Sequence, residues 1–400
     1  MNRNLNLLLG GQLVSQIGDK FYMLAVAFMV LKTTGSPAKM GLVLFCSIFP
    51  AMILGIVSGA VLDRYSRKGI IVVADVARGV IVLGMSLLYA ADLLSFSLLL
   101  MTQVLISVCT AFFDPAVPAM LPQIAEKKEL TRANSKTQLV SGMATIAGPV
   151  LGGLTVAWSG YLTAFLINAF SYLFSAVFES FIRPSPVIRQ NKTPSKLWED
   201  IKEGCRYVGG TRKLTMILVM VAVIHFLVGS VEAVIPVLAT QLTGGSAQNI
   251  GFIQTAFGFG SVLAALAISI RSIHGREVGF LFGSVGCMGA VFLTISGAFA
   301  ADVRFAGVFL FFFLCFGSLV ILAGTSFRSL IQKEAREEML GRVFGFVSSV
   351  GNISIPLAIL LSGMLLEYVR LDVMLAACGL LLMPIALCAW RLYYIKANLL

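Results

Sequence analysis

Apolar runs of about twenty residues recur along the chain between short polar breaks, and that length crosses a ~30 Å hydrocarbon core as helix. Twelve runs stand out, at approximately 5–31, 39–62, 70–91, 93–113, 136–158, 161–182, 214–240, 250–270, 278–300, 305–327, 343–366 and 372–395. The pattern predicts an all-α integral membrane protein of twelve transmembrane helices. The first run is too long for a signal-peptide core and no small-residue cleavage pattern follows it, so it is kept as a helix.

The longest polar stretch, 183–213, divides the spans six and six. It predicts an N-terminal six-helix bundle over 1–182, a cytoplasmic basic linker over 183–213 and a C-terminal six-helix bundle over 214–400. The linker reads chiefly as a tether, although Trp198 to Tyr207 has the character of an amphipathic helix lying on the membrane surface. Segments 121–134 and 330–343 align at an offset of 209, matching Leu121 with Leu330, Gln123 with Gln332 and Glu129 with Glu338. Each follows the fourth span of its half, which points to a parallel duplication and two pseudo-symmetric bundles.

Composition supports lipid as the solvent: apolar residues make up 58 % of the chain and charged residues 12 %. A soluble core cannot absorb that much apolar surface. The net charge of +11 comes from an uneven distribution, because 25 of the 30 Lys and Arg fall on the face that carries the N-terminus and the 183–213 linker. By the positive-inside rule that face is cytoplasmic, with both termini there and the protein in the plasma (inner) membrane. The charge is then a cytoplasmic lining, and nucleic acid is not an expected partner. Six of the seven Cys lie in apolar runs with no Cys or His at metal-ligand spacing, so they read as small packing residues. No metal site, cofactor site, phosphate loop or catalytic constellation is expected. The glycines at 283, 286 and 289 recur every three residues in an apolar span, which suits helix packing rather than a phosphate cradle.

Ionisable groups inside spans are the candidate functional residues, because their burial is expensive. On the first span Gln12, Ser15, Gln16 and Asp19 share one helical face, and Asp19 lies near mid-span. Lys20 points about 100° away. On the seventh span His225 and Glu232 are two turns apart on one face, about 10 Å along the axis. His titrates near neutral pH, so this pair suits proton transfer. Gln103, Ser107, Thr110 and Gln254 are weaker lining candidates. Asp75 and Arg78, three apart, read as a structural ion pair.

Several motifs carry a family resemblance. Gly59-Ala-Val-Leu-Asp63-Arg64-Tyr-Ser-Arg67-Lys68 resembles the G-x-x-x-D-R-x-x-R-R signature of the major facilitator superfamily. Gly148-Pro149-Val-Leu-Gly152-Gly153 resembles the G-P-x-x-G-G antiporter motif. With Thr34-Gly35-Ser36, Ala74-Asp75, Pro115-Ala116, Leu121-Pro122, Ala133-Asn134 and Gly341-Arg342-Val343-Phe344, the chain is similar to the macrolide-efflux-like drug:proton antiporter branch. The resemblance implies a cytoplasmic gate in which Asp63, Arg64 and Arg67 latch the halves, and a pivoting helix at Gly148, Pro149, Gly152 and Gly153. The second half departs from the pattern, since Arg271-Ser-Ile-His274-Gly275-Arg276 lacks the acid. The resemblance further implies a monomeric transporter, not an enzyme, that exports small amphipathic molecules in exchange for protons. Asp19 and Glu232, each within a span on a face shared with other polar groups and one in each half, are the expected coupling carboxylates facing one cavity. A dedicated siderophore or lysophospholipid carrier of the same fold is the nearest alternative. A non-transporting receptor or scaffold is the more distant one.

Overall fold

The computed structural model describes residues 3–126, 129–184, 197–242, 247–271, 275–336 and 339–394. They form α1 (Arg3–Thr34), α2 (Pro37–Arg64), α3 (Arg67–Ala90), α4 (Phe96–Ile124), α5 (Leu130–Ser180), α6 (Leu197–Gly210), α7 (Arg212–Gln241), α8 (Ala247–Ile270), α9 (Glu277–Ala300), α10 (Ala306–Glu334), α11 (Leu340–Tyr368) and α12 (Leu371–Tyr394). Short polar breaks start the helices through serine caps: Ser36, Ser66 and Ser95 accept from the backbone N–H three residues on. Among the described residues eleven helices are long and apolar enough to cross a membrane.

One of the eleven holds two crossings. α5 spans 51 residues, about 77 Å at 1.5 Å per residue, more than twice a bilayer core. It breaks at Gly160, which has φ 78° and ψ −179°. The chain folds back there, because positions on both sides of the break reach one level of α1. Gly148 packs on Lys20 and Ile17, while Ser171 and Asn168 pack on Gly18. The described residues therefore hold twelve spans, as the hydrophobic pattern predicts.

Helix ends locate the internal repeat. Arg67 and Glu277, Ala90 and Ala300, Phe96 and Ala306, Ile124 and Glu334, and Leu130 and Leu340 are each 210 residues apart. The expected offset of 209 is thus one residue short, since it rests on Leu, Gln and Glu matches that recur by chance. Crossing points obey the corrected offset. A Cβ on Gly79 would meet the Ala169 carbonyl oxygen, and one on Gly289 the Gly379 carbonyl oxygen. Likewise the Ala51 N–H donates to Ser107 Oγ at 2.9 Å, and Ser261 Oγ donates to the Gly317 carbonyl at 3.2 Å.

Packing divides the chain into two compact units. The first contains α1–α5 together with the opening turns of α8 to Thr255; the second contains α6, α7, the rest of α8 and α9–α12. Inside the first, α1 packs along α5, α2 along α4, and α3 along the second segment of α5. Inside the second, α7 packs on α11 and α9 on α12, while α8 meets α10 through Ser261 and Ser318. Large apolar side chains such as Val73, Leu87, Met101 and Phe170 are exposed, as they are when lipid is the solvent.

Two local expectations are corrected. The fourth span does not end near 113: α4 continues through Pro115, Pro118 and Pro122 to Ile124. Proline is tolerated in a membrane helix because neighbouring groups satisfy the freed carbonyls. The linker is more than a tether, since α6 occupies 197–210 and the Tyr207 hydroxyl accepts from the Arg336 N–H at 3.2 Å. Residues 185–196 lie outside the described residues.

Candidate functional site

The polar face of α1 is built into the first unit from both sides. Gln12 and Ser15 are buried, and Gln16 and Asp19 half-buried. Gly11 and Gly18 flank the stripe, and a Cβ on either would strike Ser175 or Ser171, so α1 and the second segment of α5 lie nearly backbone to backbone. That approach brings two hydrogen bonds within reach, and two more extend them along α1 to the first segment of α5. Tyr172 donates its hydroxyl to Asp19 Oδ1. Gln12 Nε2 donates to Glu179 Oε1 at 3.1 Å, Gln16 Nε2 to Gln12 Oε1 at 2.9 Å, and Ser141 Oγ to Gln16 Oε1 at 2.8 Å. Lys20 is exposed at its tip, with its Cβ against Gly148.

The structure adds a second polar stripe opposite the first. Asn168, Ser171, Tyr172, Ser175 and Glu179 fall at i, i+3, i+4, i+7 and i+11 on the second α5 segment, and all are buried. This periodicity is legible in the sequence, yet the sequence reading assigns it no role. Asp75 and Arg78 on α3 complete the cluster as a buried ion pair, 0 % and 2 % exposed. The Arg78 guanidinium lies 3.9 Å from the Phe113 ring centre and 4.5 Å from that of Tyr172. Such faces stabilise a desolvated cation. Asp114 on α4 is exposed and lies within electrostatic range of Arg78, Asp19 and Lys20. Four carboxylates therefore surround one buried arginine.

The 210-residue offset shows that this charge belongs to one half alone. Asp75, Arg78, Tyr172 and Glu179 correspond to Val285, Met288, Leu382 and Ala389. Asp19 and Glu232 lie on corresponding helices, α1 and α7, though not at equivalent positions, since the same offset carries Asp19 to Gly229. Glu232 stands three residues further along α7 and is half-buried. His225 is half-buried too, with Nδ1 2.8 Å from the Val221 carbonyl and its ring 6.3 Å from that of Phe327. A Cβ on Gly351 would sit 3.1 Å from the same imidazole.

The motif glycines of α5 mark close helix crossings. Within the first unit Gly148 meets α1 at Lys20, Gly152 meets it at Phe21, and Gly153 meets the Ala247 carbonyl at the start of α8. Pro149 interrupts the α5 hydrogen-bond ladder between them. Of the gate motif, Arg67 NH1 donates to the Ala119 carbonyl at 2.7 Å and Arg64 is exposed. Gly59 lies within α2, and the side chain of Asp63 is outside what the structure describes. Among the described residues no group of three or more His, Cys, Asp and Glu could hold a metal ion.

Comparison with known proteins gives a consistent picture. The sequence model of the Major Facilitator Superfamily matches residues 8–359. Macrolide efflux protein A of Streptococcus pyogenes is 22 % identical over 382 residues, covering 94 % of this chain and 93 % of its own length. Multidrug efflux pump Tap of Mycobacterium tuberculosis is 26 % identical over 399 residues, covering 96 % and 92 %. The crystal structure of nucleoside transporter NupG (D323A mutant) superposes with a TM-score of 0.75 at 10 % identity, covering 98 % of this chain and 99 % of that one, a likeness of fold.

Proposed function

The chain belongs to the major facilitator superfamily, and on that footing we propose that it exports amphipathic drug-like molecules in exchange for protons, by alternating access between two six-span bundles. It is a transporter, not an enzyme, and its relatives include efflux pumps. The observation that carries the proton-coupled reading is Asp19, a mid-span carboxylate held by Tyr172 on a polar helix face. An ionisable group placed there at such expense serves a pathway by default. Many Phe and Met residues suit an adaptable apolar binding surface for varied cargo. In this reading Asp19, Gln12 and Gln16 in the first unit and His225 and Glu232 in the second contribute to proton coupling. Gly148 to Gly153 provide the pivot, and Asp63 with Arg64 and Arg67 the cytoplasmic latch. The protein works as a monomer in the plasma membrane with both termini in the cytoplasm.

The test uses proteoliposomes with an imposed pH gradient and a macrolide and a lipophilic cation as probes. Wild-type protein should concentrate at least one probe against its gradient, and Asp19→Asn and Glu232→Gln should each abolish that uphill movement. If both variants still concentrate it with unchanged pH dependence, these carboxylates are structural. Asp63→Asn should slow transport while leaving insertion intact, and a wild-type rate removes the latch. Cysteine labelling of 183–213 from the outer face would reverse the topology.

A further inference from the structure

The stripe on the second α5 segment ends at Glu179, and Glu179 meets a second carboxylate. Asp75 and Glu179 are both 0 % exposed, and their side chains lie within hydrogen-bonding reach of each other. One oxygen of each is accounted for: Arg78 donates to Asp75 Oδ1 and Gln12 donates to Glu179 Oε1. Asp75 Oδ2 and Glu179 Oε2 are buried without a satisfying hydrogen-bond donor, and the hydroxyl of fully buried Ser175 lies within reach of Asp75. An ionised carboxylate only accepts. Ser175 supplies one hydrogen at most, and two buried acceptor oxygens are open. Two like charges in contact away from water are repulsive, and one proton between them turns that repulsion into a hydrogen bond.

We propose that Asp75 and Glu179 form a proton-binding site distinct from Asp19, holding one shared hydrogen between Asp75 Oδ2 and Glu179 Oε2. The charged and titratable groups facing it are Arg78 on α3, Asp19 on α1 and Tyr172 on α5, while Cys109 and Asp114 on α4 lie near Arg78 and Lys20 on α1 lies near Asp19. Arg78 is the only cation among them that is buried, and it pairs with one carboxylate of the two. Loss of the proton leaves two negative charges on Arg78 and strengthens its competition with Asp19 and Asp114 for that guanidinium. The Gln12–Gln16–Ser141 chain of hydrogen bonds links Glu179 to the first segment of α5, where the Gly148–Gly153 crossing lies. The use of this site in transport rests on the proton-coupled reading above, whereas the binding of the proton does not.

Infrared spectroscopy of the full chain in lipid tests the site directly, because a protonated carboxyl has a C=O band separate from that of a carboxylate. At neutral pH the wild type should show a protonated-carboxyl band that survives Asp19→Asn. Glu179→Gln and Asp75→Asn should each remove it. Glu179→Gln places an amide N–H where the shared hydrogen stood and so preserves the packing; if Asp75→Asn does not fold, the wild type and Glu179→Gln decide. Absence of the band in the wild type, or its persistence at full amplitude in Glu179→Gln, overturns the proposal. Failure of uphill export with the band intact counts against proton-coupled export alone.

Discussion

Tyr172 hands its hydroxyl hydrogen to Asp19 across 153 positions of sequence. The bond exists because Gly18 lets the two helices approach until Ser171 touches the α1 backbone, which places the next residue of α5 opposite the carboxylate. Tyr172 also presents its ring to Arg78, so one side chain touches both the mid-span acid and the buried cation.

Removing that hydroxyl should be felt at Asp19. Tyr172→Phe keeps the ring over Arg78 and deletes one hydrogen bond to a charged group, a loss of about 1.5–3 kcal/mol. Thermal unfolding in detergent should show it. In a double-mutant cycle with Asp19→Asn the two effects should fall well short of additive.

The Asp75–Arg78 pair makes a sharper prediction, because the second half supplies its own replacement. Arg78→Met leaves Asp75 buried without its cation and should cost about 3–5 kcal/mol. Asp75→Val combined with Arg78→Met installs the residues found at 285 and 288 and should recover most of that loss. Stability measured by denaturation should therefore be lower in the single variant than in the double.

Gly160→Ala isolates backbone strain. Nothing lies within 4 Å of a Cβ at this position, so contacts are unaffected. Its backbone is in a region that essentially only glycine occupies, and the substitution should cost about 1–3 kcal/mol. A melting temperature equal to that of the wild type would place the break elsewhere.

Helix crossings in the second unit should tolerate no added methyl. A Cβ on Gly260 would overlap the Leu314 carbonyl oxygen, and one on Gly317 the Phe257 carbonyl oxygen, both fixed backbone atoms. Gly260→Ala and Gly317→Ala should each cost about 1–3 kcal/mol. Gly283→Ala, with nothing within 4 Å, should be neutral or stabilise by up to about 1 kcal/mol through helix propensity. Thermal unfolding of the three variants gives the order.

The spans were legible because lipid imposes one length and one composition on them, and a face with period 3.6 located the α1 stripe. The same arithmetic applies to Asn168, Ser171, Tyr172, Ser175 and Glu179, but hydroxyl and amide side chains in a span are common packing elements and gave no reason to prefer that face. What raises Glu179 above them is Asp75, 104 positions away in sequence and adjacent in space. No one-dimensional pattern carries that proximity. The extent of α4 was hidden for the opposite reason: Asp114 and three prolines look like an end, and only the neighbouring helices make them an interior.

The reversal at Gly160 has a practical corollary for anyone handling this protein. The fifth and sixth crossings are joined with almost no polar chain between them, and together they form a helical hairpin. Ala157, Trp158 and Ser159 are the exposed chain beside that tip and all three are helical, so an inserted epitope or glycosylation reporter there would interrupt a helix and is better placed at another turn.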